Sequence, residues 1–415
     1  MLVSERLCRQ VITDVLSDLN PEKRVIQVLS EMKFSKRLHL LAIGKAGWNM
    51  AHAAYQVLAD QIIDGVVITK YAHSKGPIGN LFLMESGHPI PDENSLKAGH
   101  EVLKRFSNLT GDDELLLLIS GGGSALFEVL YDGLTINDLQ SITQKMMTLG
   151  IDIKAINAVR KRLSLVKGGQ LAQIVAPATI QALIISDVIG DCVPDIASGP
   201  VSCEQKVPNL SDIIAALEPL DQHIRKVITR TLPTKSPNAQ IQIIDHVAHA
   251  CSCAKDHFQK LGVDATIMTT RLECEAKEAG RFIAAMMADC YQGISDFSAP
   301  HLFIFGGETL VNVKGTGKGG RNQELALSAA IALDGLEHDC TLFSLGTDGT
   351  DGPTDAAGGI VTPHTVSKMK SAHINPLKKL QNNDAYHALK AANALLTTGP
   401  TGTNVNDLIC ALMLE

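Results

Sequence analysis

The stretch Glu114–Leu130, ELLLLISGGGSALFEVL, places an unbroken apolar run (Leu115–Ile119) before a serine, three glycines and a second apolar segment. A half-exposed strand alternates apolar and polar residues, whereas an unbroken run marks a strand covered on both faces, as in a parallel sheet. Glycines directly after such a strand let backbone approach backbone, or a ligand, with no Cβ in the way. The same order of strand, glycine turn and helix recurs in LHLLAIGKAGWNMAHAAYQVLA (Leu38–Ala59) and, with a longer loop, in TIQALIISDVIGDCVPDIASGP (Thr179–Pro200). It resumes later in IQIIDHVAHACSCAKDHFQKLG (Ile241–Gly262), DATIMTT (Asp264–Thr270), the helix ECEAKEAGRFIAAMMADCY (Glu273–Tyr291) and the strand HLFIFGGETLVNV (His301–Val313). In that helix Ala279, Phe282, Ile283, Met286, Met287 and Cys290 read as one core-facing stripe. The pattern predicts an α/β fold.

A chain of 415 residues exceeds the size at which a single core stops growing, so two domains are expected, with a cleft between them as the place for chemistry. The polar, proline-bearing stretch TLPTKSPNAQ (Thr231–Gln240) reads as the linker, dividing residues 1–235 from 236–415. A net charge of −7 speaks against a nucleic-acid partner, and no apolar run is long enough to cross a bilayer. The N-terminus reads as an amphipathic helix capped by Ser4, not as a signal peptide, which suggests a cytoplasmic protein. Nine scattered cysteines without a C-x-x-C pair read as buried thiols in a reducing compartment. Homo-oligomerisation stays open.

In doubly wound sheets ligands bind beyond the carboxyl ends of the strands, so the residues just after each strand are the candidates. Gly44 and Gly47 bracket a tight turn into a helix, with Lys45 between them placed to neutralise a phosphoryl group. Ser120, Gly121, Gly122, Gly123 and Ser124 offer backbone N–H groups and a hydroxyl to an anion. Asp187 follows an apolar strand, and Asp191 lies four residues on; either suits a general base for a hydroxyl or a ligand for Mg²⁺. Asp195 reads as a turn former. The stretch NAVRKRLSLVKGGQLA (Asn157–Ala172) clusters Arg160, Lys161, Arg162 and Lys167, a set that reads equally as a site for a small carboxylate or phosphate and as a solvated helix face. Further candidates are Gly306–Glu308 and the loop Thr347–Gly359, whose Asp348, Asp351 and Asp355 do not match the spacing of a calcium loop.

VNVKGTGKGGRNQELAL (Val311–Leu327) has the look of a phosphate loop but fails the Walker pattern, because Gly319 stands where the hydroxyl residue belongs and Asn312 where the first glycine belongs. Its glycines read instead as a flexible approach to a helix starting near Arg321, leaving Lys318 a weak claim. Neither a G-x-G-x-x-G after a strand nor a G-x-S-x-G elbow is present.

Eight stretches in order along the chain resemble one family: AIGKAGWNMA, SGHPIPDENSLKAG, LLISGGGSALF, NAVRKRLSLVKGGQLA, SDVIGDCVPDIASGP, GGETLVNVKGTGKGGRNQELAL, GTDGTDGPTDAAGG and TGPTGTNVNDL. The chain is similar to the glycerate 2-kinases whose C-terminal part is called MOFRL. That resemblance implies a Rossmann-like N-terminal domain with a parallel sheet, a smaller α/β domain carrying the MOFRL region (about 300–412), and an active site in the cleft. It implies transfer of the ATP γ-phosphoryl group to the 2-hydroxyl of D-glycerate, giving 2-phosphoglycerate, with Mg²⁺. Lys45, Asp187 and Arg321 match the family's catalytic positions. Asn157, Arg160, Glu308, Asn322, Asp348 and Asp351 join the glycine loops as binding candidates, and Asp187 with Asp191 as metal ligands. The rival readings are a hydroxypyruvate reductase, a label some members carry, and a non-catalytic small-anion-binding regulator.

Overall fold

In the computed structural model, which describes residues 1–204 and 208–415, the chain divides into two units, one of residues 21–244 and one of residues 1–20 with 245–415. The first is built on six strands: β1 (Arg37–Ile43), β2 (Ile62–Lys70), β3 (Phe82–Ser86), β4 (Asp113–Ile119), β5 (Thr179–Ile185) and β6 (Ala239–Asp245). They lie in the order β3-β2-β1-β4-β5-β6, and the pairs from β3 through β5 are parallel. Every residue of β4 is buried, as its apolar run predicts. Leu115, Leu117 and Ile119 face a core shared with the helix Glu93–Phe106 through Ala98, Val102 and Phe106. Each of the buried leucine, isoleucine, valine and phenylalanine side chains contributes about 1.5–3 kcal/mol relative to exposure.

A satellite of helices stands beside this sheet. Ile136–Thr148 begins at Thr135, whose hydroxyl accepts from Asp138 N while the Asp138 carboxylate accepts from Thr135 N, a reciprocal capping box. Leu139, Ile142 and Met146 on this helix pack with Ile156, Val159 and Leu163 of the helix Ile153–Leu163.

The second unit carries β7 (Asp264–Leu272), β8 (His301–Gly307), β9 (Cys340–Gly346), β10 (Gly358–Val361), β11 (Leu395–Leu396) and β12 (Asp407–Met413), in the order β11-β10-β9-β12-β8-β7. β12 runs antiparallel to both of its neighbours, so the carboxyl ends of β8 and β9 flank its start. The helices Ala276–Tyr291 and Arg321–Ala332 cover one face, and they approach so closely at Gly280 that a Cβ there would sit 2.2 Å from the Leu325 carbonyl oxygen. The stripe of the first of these helices is set by Ala279, Gly280, Ile283, Ala284, Met287 and Cys290. Phe282, expected in the core, is 64% exposed.

The division differs from a boundary at 235/236 in two respects. Ala239–Asp245 extends the first sheet, and the N-terminal helix Val3–Asp18 joins the second unit. Ser4 is not the cap of that helix: Asp339 accepts from Val3 N at 3.1 Å and Ser4 N at 3.2 Å, and the Ser4 hydroxyl pairs with that of Thr341 at 2.7 Å. A carboxylate from far along the chain thus satisfies the open N–H groups of the first turn. All nine cysteines are free, and the expectation of buried thiols fails at Cys192 and Cys274, which are exposed, and at Cys203, which is partly so. Among the described residues no helix is long and apolar enough to cross a membrane.

Candidate active site

The order of the first sheet reverses direction between β1 and β4, the point at which open α/β sheets leave a crevice for a ligand. Five parallel strands end on that edge, and each is followed by polar residues. Beyond β1, Gly44 has φ +132°, and a Cβ on it would lie 2.2 Å from Ser120 Oγ, so only glycine fits. Lys45 N donates to the Gly121 carbonyl at 2.9 Å and Ala46 N to Ser120 Oγ at 3.0 Å, which locks the two glycine loops together. Gly47 N donates to the Gly44 carbonyl at 2.9 Å and opens the helix Gly47–Leu58.

Beyond β4, the N–H groups of Gly121, Gly122, Gly123 and Ser124 make no hydrogen bond among the described residues. Adjacent unpaired N–H groups form a concavity suited to an anion. Gly122 has φ +84°, and a Cβ on it would meet His88 Nε2 at 3.0 Å and Lys45 Cγ at 3.3 Å. The back of the loop is braced by residues 197–199, all in the left-handed region (φ 49°, 60° and 63°), where Ala197 and Ser198 carry backbone strain of about 1–2 kcal/mol each. That strain is repaid in position: Ser198 Oγ reaches Ser124 Oγ at 2.7 Å.

Asp187 and Asp191 follow β5, with Asp191 at φ +56°. At about 4.8 Å between neighbouring strands, the ends of β1 and β5 stand roughly 10 Å apart, near enough for Lys45 and Asp187 to act on one small molecule. From the other side come His73, whose Nδ1–H donates to the Lys45 carbonyl at 3.2 Å, and His88. Burial, with the charges of Lys45, Lys70 and His73, pushes His88 down to about 4, so it is neutral at pH 7. His73 is lowered too, by burial first. His88 is the residue that reading the sequence missed. Its only signal was its place inside GHPIPD.

The basic cluster on and just beyond the helix Ile153–Leu163 resolves into separate roles. Lys167 is fully buried, 2.6 Å from Glu128, and Lys161 and Arg162 face Glu204 at 3.5 and 3.3 Å. These three are interior ion pairs, not a solvated face. Arg160 differs: its Nη2 donates to the Ser124 carbonyl at 3.1 Å, and Asn157 lies one turn away on the same helix.

In the second unit Arg321 makes a two-pronged pair with Asp407, Nε to Oδ2 at 2.5 Å and Nη2 to Oδ1 at 3.0 Å, and its Nη1 lies 2.8 Å from Glu308. Burial opposes the guanidinium charge, but these carboxylates outweigh it and raise its pKa. Glu308 also accepts from Asn406 at 3.1 Å. Asp351 is committed to the start of the helix Arg321–Ala332, accepting from Asn322 N at 3.1 Å and Gln323 N at 2.9 Å, and burial raises its pKa. Asn322 is interior, its Oδ1 accepting from Ser344 Oγ at 2.5 Å. Asp348 accepts from Thr350 N at 2.9 Å within its own turn.

The glycine loop before Arg321 is not the flexible approach expected from its composition. Lys314 N and Gly315 N donate to Asn383 Oδ1 at 2.8 and 2.9 Å, Thr316 N to Asn382 Oδ1 at 3.1 Å, Gly317 N to the Asn382 carbonyl at 2.9 Å, and Lys318 N to Asp384 Oδ1 at 3.0 Å. The N–H groups of residues 314–318 are thus already taken by the protein itself. Lys318 Nζ lies over the Tyr386 ring, 4.6 Å from its centre.

Among the described residues no group of three or more His, Cys, Asp or Glu side chains could enclose a metal. A two-carboxylate set such as Asp187 with Asp191 still fits Mg²⁺, which takes one or two protein carboxylates and completes its shell with phosphate oxygens and water.

A family model described as a domain of unknown function, DUF4147, matches residues 7–232, and the MOFRL family model matches residues 301–407. A D-glycerate 2-kinase of Thermotoga maritima is 46% identical, over 99% of this chain and 98% of that protein. The chain belongs to the glycerate 2-kinase family. A crystal structure of glycerate kinase from Thermotoga maritima superposes with a TM-score of 0.94 at 45% identity, covering 99% of both chains. A relative from Agrobacterium vitis, 34% identical over 99% of this chain and 94% of its own length, carries the name hydroxypyruvate reductase only provisionally. The α/β fold described above is thus shared with that crystal structure.

Proposed function

We propose that this protein is a glycerate 2-kinase that transfers the γ-phosphoryl group of ATP to the 2-hydroxyl of D-glycerate, releasing ADP and 2-phosphoglycerate. The observation that carries this reading is the switch point of the first sheet, where Lys45, four unpaired N–H groups and Asp187 are delivered by the ends of β1, β4 and β5. Phosphoryl transfer asks a protein for positioning and for neutralisation of charge on the moving group. Lys45 supplies a cation at the moving phosphoryl, and the loop Gly121–Ser124 holds anionic oxygens. Asp187 orients the 2-hydroxyl and accepts its proton as the new O–P bond forms and the bond to the ADP oxygen breaks. Arg321, held by Asp407 and Glu308, is the third residue assigned to the reaction. Mg²⁺, held by Asp187 and Asp191 together with phosphate oxygens, would spread the negative charge of the nucleotide.

The reductase alternative finds no support in the loops, since neither glycine turn follows the dinucleotide pattern. Incubation with D-glycerate and MgATP, coupled to enolase with phosphoglycerate mutase left out, decides the matter. Enolase turnover is the expected result, because enolase accepts 2-phosphoglycerate. Signal that appears only after mutase is added means 3-phosphoglycerate and defeats the regiochemistry, and NADH consumption with hydroxypyruvate in place of kinase activity defeats the reading as a whole.

A further inference from the structure

The first unit contains an open cavity of about 880 Å³ away from Lys45 and Asp187. One wall is the turn Pro89, Ile90 and Pro91; the other, from the helix Ile136–Thr148 and just beyond it, includes Leu139, Met147 and Leu149. The two walls are tied together by the Gln140 amide, which donates to the Pro91 carbonyl at 2.7 Å. Ile90, Met147 and Leu149 are 63%, 53% and 50% exposed, so the rim presents apolar surface that gains from being covered. Arg160 also lines the cavity.

We propose that this cavity receives the adenine ring of ATP, with the phosphates passing Arg160 to the loop Gly121–Ser124. The proposal rests on the kinase reading above and assigns one of its two substrates to a place. Continuity is supplied by Arg160, which lines the cavity and donates to the carbonyl of Ser124, so the end of the cavity that it marks adjoins the loop with unpaired N–H groups. Arg160 Nε is buried without a hydrogen-bond partner among the described residues. The acid nearest in charge, Glu128, is already committed to Lys167 at 2.6 Å and to the Ser164 hydroxyl at 2.5 Å. A buried donor on an uncompensated cation costs free energy until an acceptor arrives, and an anionic oxygen chain is such an acceptor.

The chemistry of the two substrates chooses between them. D-glycerate has three carbons, each bearing oxygen, and no apolar face; enclosing it between proline, isoleucine, leucine and methionine would strip its water for nothing. A purine has two broad apolar faces and a polar edge, which suits facing apolar walls and the exposed amide of Gln144 beside them.

The test uses two rim positions, Ile90→Ser and Met147→Glu, both exposed and outside the packed core. Wild type and variants are compared in the enolase-coupled assay, with MgADP binding measured by calorimetry in parallel. The KM for ATP and the Kd for MgADP rise about tenfold in each variant, while the KM for D-glycerate moves less than twofold and Tm stays within a few degrees. Unchanged nucleotide constants in both variants overturn the assignment, as does a rise confined to D-glycerate. A shift in sedimentation with nucleotide constants unchanged assigns the groove to a second copy of the chain, and overturns it too. Wild type that binds MgADP but makes no 2-phosphoglycerate overturns the kinase reading separately, and wild type that turns over while neither variant affects the nucleotide overturns only this one.

Discussion

Two glycine-rich loops precede helices in this chain, one at Gly121–Gly123 and one at Gly315–Gly320, and glycine serves opposite ends in them. In the first, close packing against Lys45, His88 and Ala197 leaves a row of N–H groups without hydrogen-bond partners among the described residues. In the second, Asn382, Asn383 and Asp384 consume the N–H groups of residues 314–318, and Asp351 takes those of Asn322 and Gln323, so that among the described residues only the short stretch 319–321 keeps N–H groups without a hydrogen bond. A Cβ on Gly315 or Gly317 would lie 2.3 or 2.4 Å from that same segment, so glycine is required there for packing. A glycine-rich sequence therefore signals close approach of backbone, and only the hydrogen-bond count tells whether a ligand or the protein itself is the partner.

The largest effect that would break this comparison belongs to Asp187. Asp187→Asn should lower kcat by about a hundredfold or more with the fold intact, since removing a general base typically forfeits 10²–10⁴. Near-normal turnover removes the residue from the reaction. Gly122→Ala comes next. A Cβ at φ +84° is strained and lies against the His88 ring, so kcat/KM should fall by about tenfold or more and Tm by a few degrees. An active, equally stable variant would mean the loop tolerates a side chain.

On the other side of the comparison, Asp351→Ala should cost about 1–2 kcal/mol of stability in urea unfolding, the usual loss for a helix cap; no change in midpoint would show that the helix start needs no carboxylate. The smallest effect concerns pH. His88 is held near 4 in the folded chain against an ordinary 6.5, so the unfolded chain binds the extra proton first and stability falls as pH drops from 6.5 toward 4. His88→Asn should flatten that slope by on the order of 1 kcal/mol, after allowing for solvent screening of the ring. Identical slopes in both proteins would contradict the assignment.

Much of the first sheet could be read directly because its determinants are local. The unbroken run at Leu115–Ile119, with glycines behind it, states both burial and the turn. Residues 239–245 could not be placed the same way: most of that strand is partly or fully exposed, and nothing local says which sheet it joins. The N-terminal helix looked self-capped at Ser4, whereas its cap is Asp339, more than three hundred residues away. The same distance effect hid the fate of the basic helix and of the second glycine loop. Lys167 and Lys161 look solvated until Glu128 and Glu204 are brought to them by the fold, and Gly315–Gly320 looks flexible until Asn382–Asp384 arrive. Lys45 and the triple glycine were readable as candidates because strand, turn and helix are contiguous there. His88 was not, because its role depends on the loop after the edge strand β3 reaching back to Lys45 and Gly122 at the ends of β1 and β4.

The contrast between the loops reduces to two lysines, each set among glycines. Lys45→Ala and Lys318→Ala, assayed side by side for production of 2-phosphoglycerate from D-glycerate and MgATP, test it most directly. The account predicts that Lys45→Ala loses about a hundredfold or more in kcat/KM, while Lys318→Ala keeps activity within about threefold and loses only a few tenths to about 1 kcal/mol of stability, with the contact to Tyr386. Loss of turnover in Lys318→Ala with Lys45→Ala near normal would contradict it.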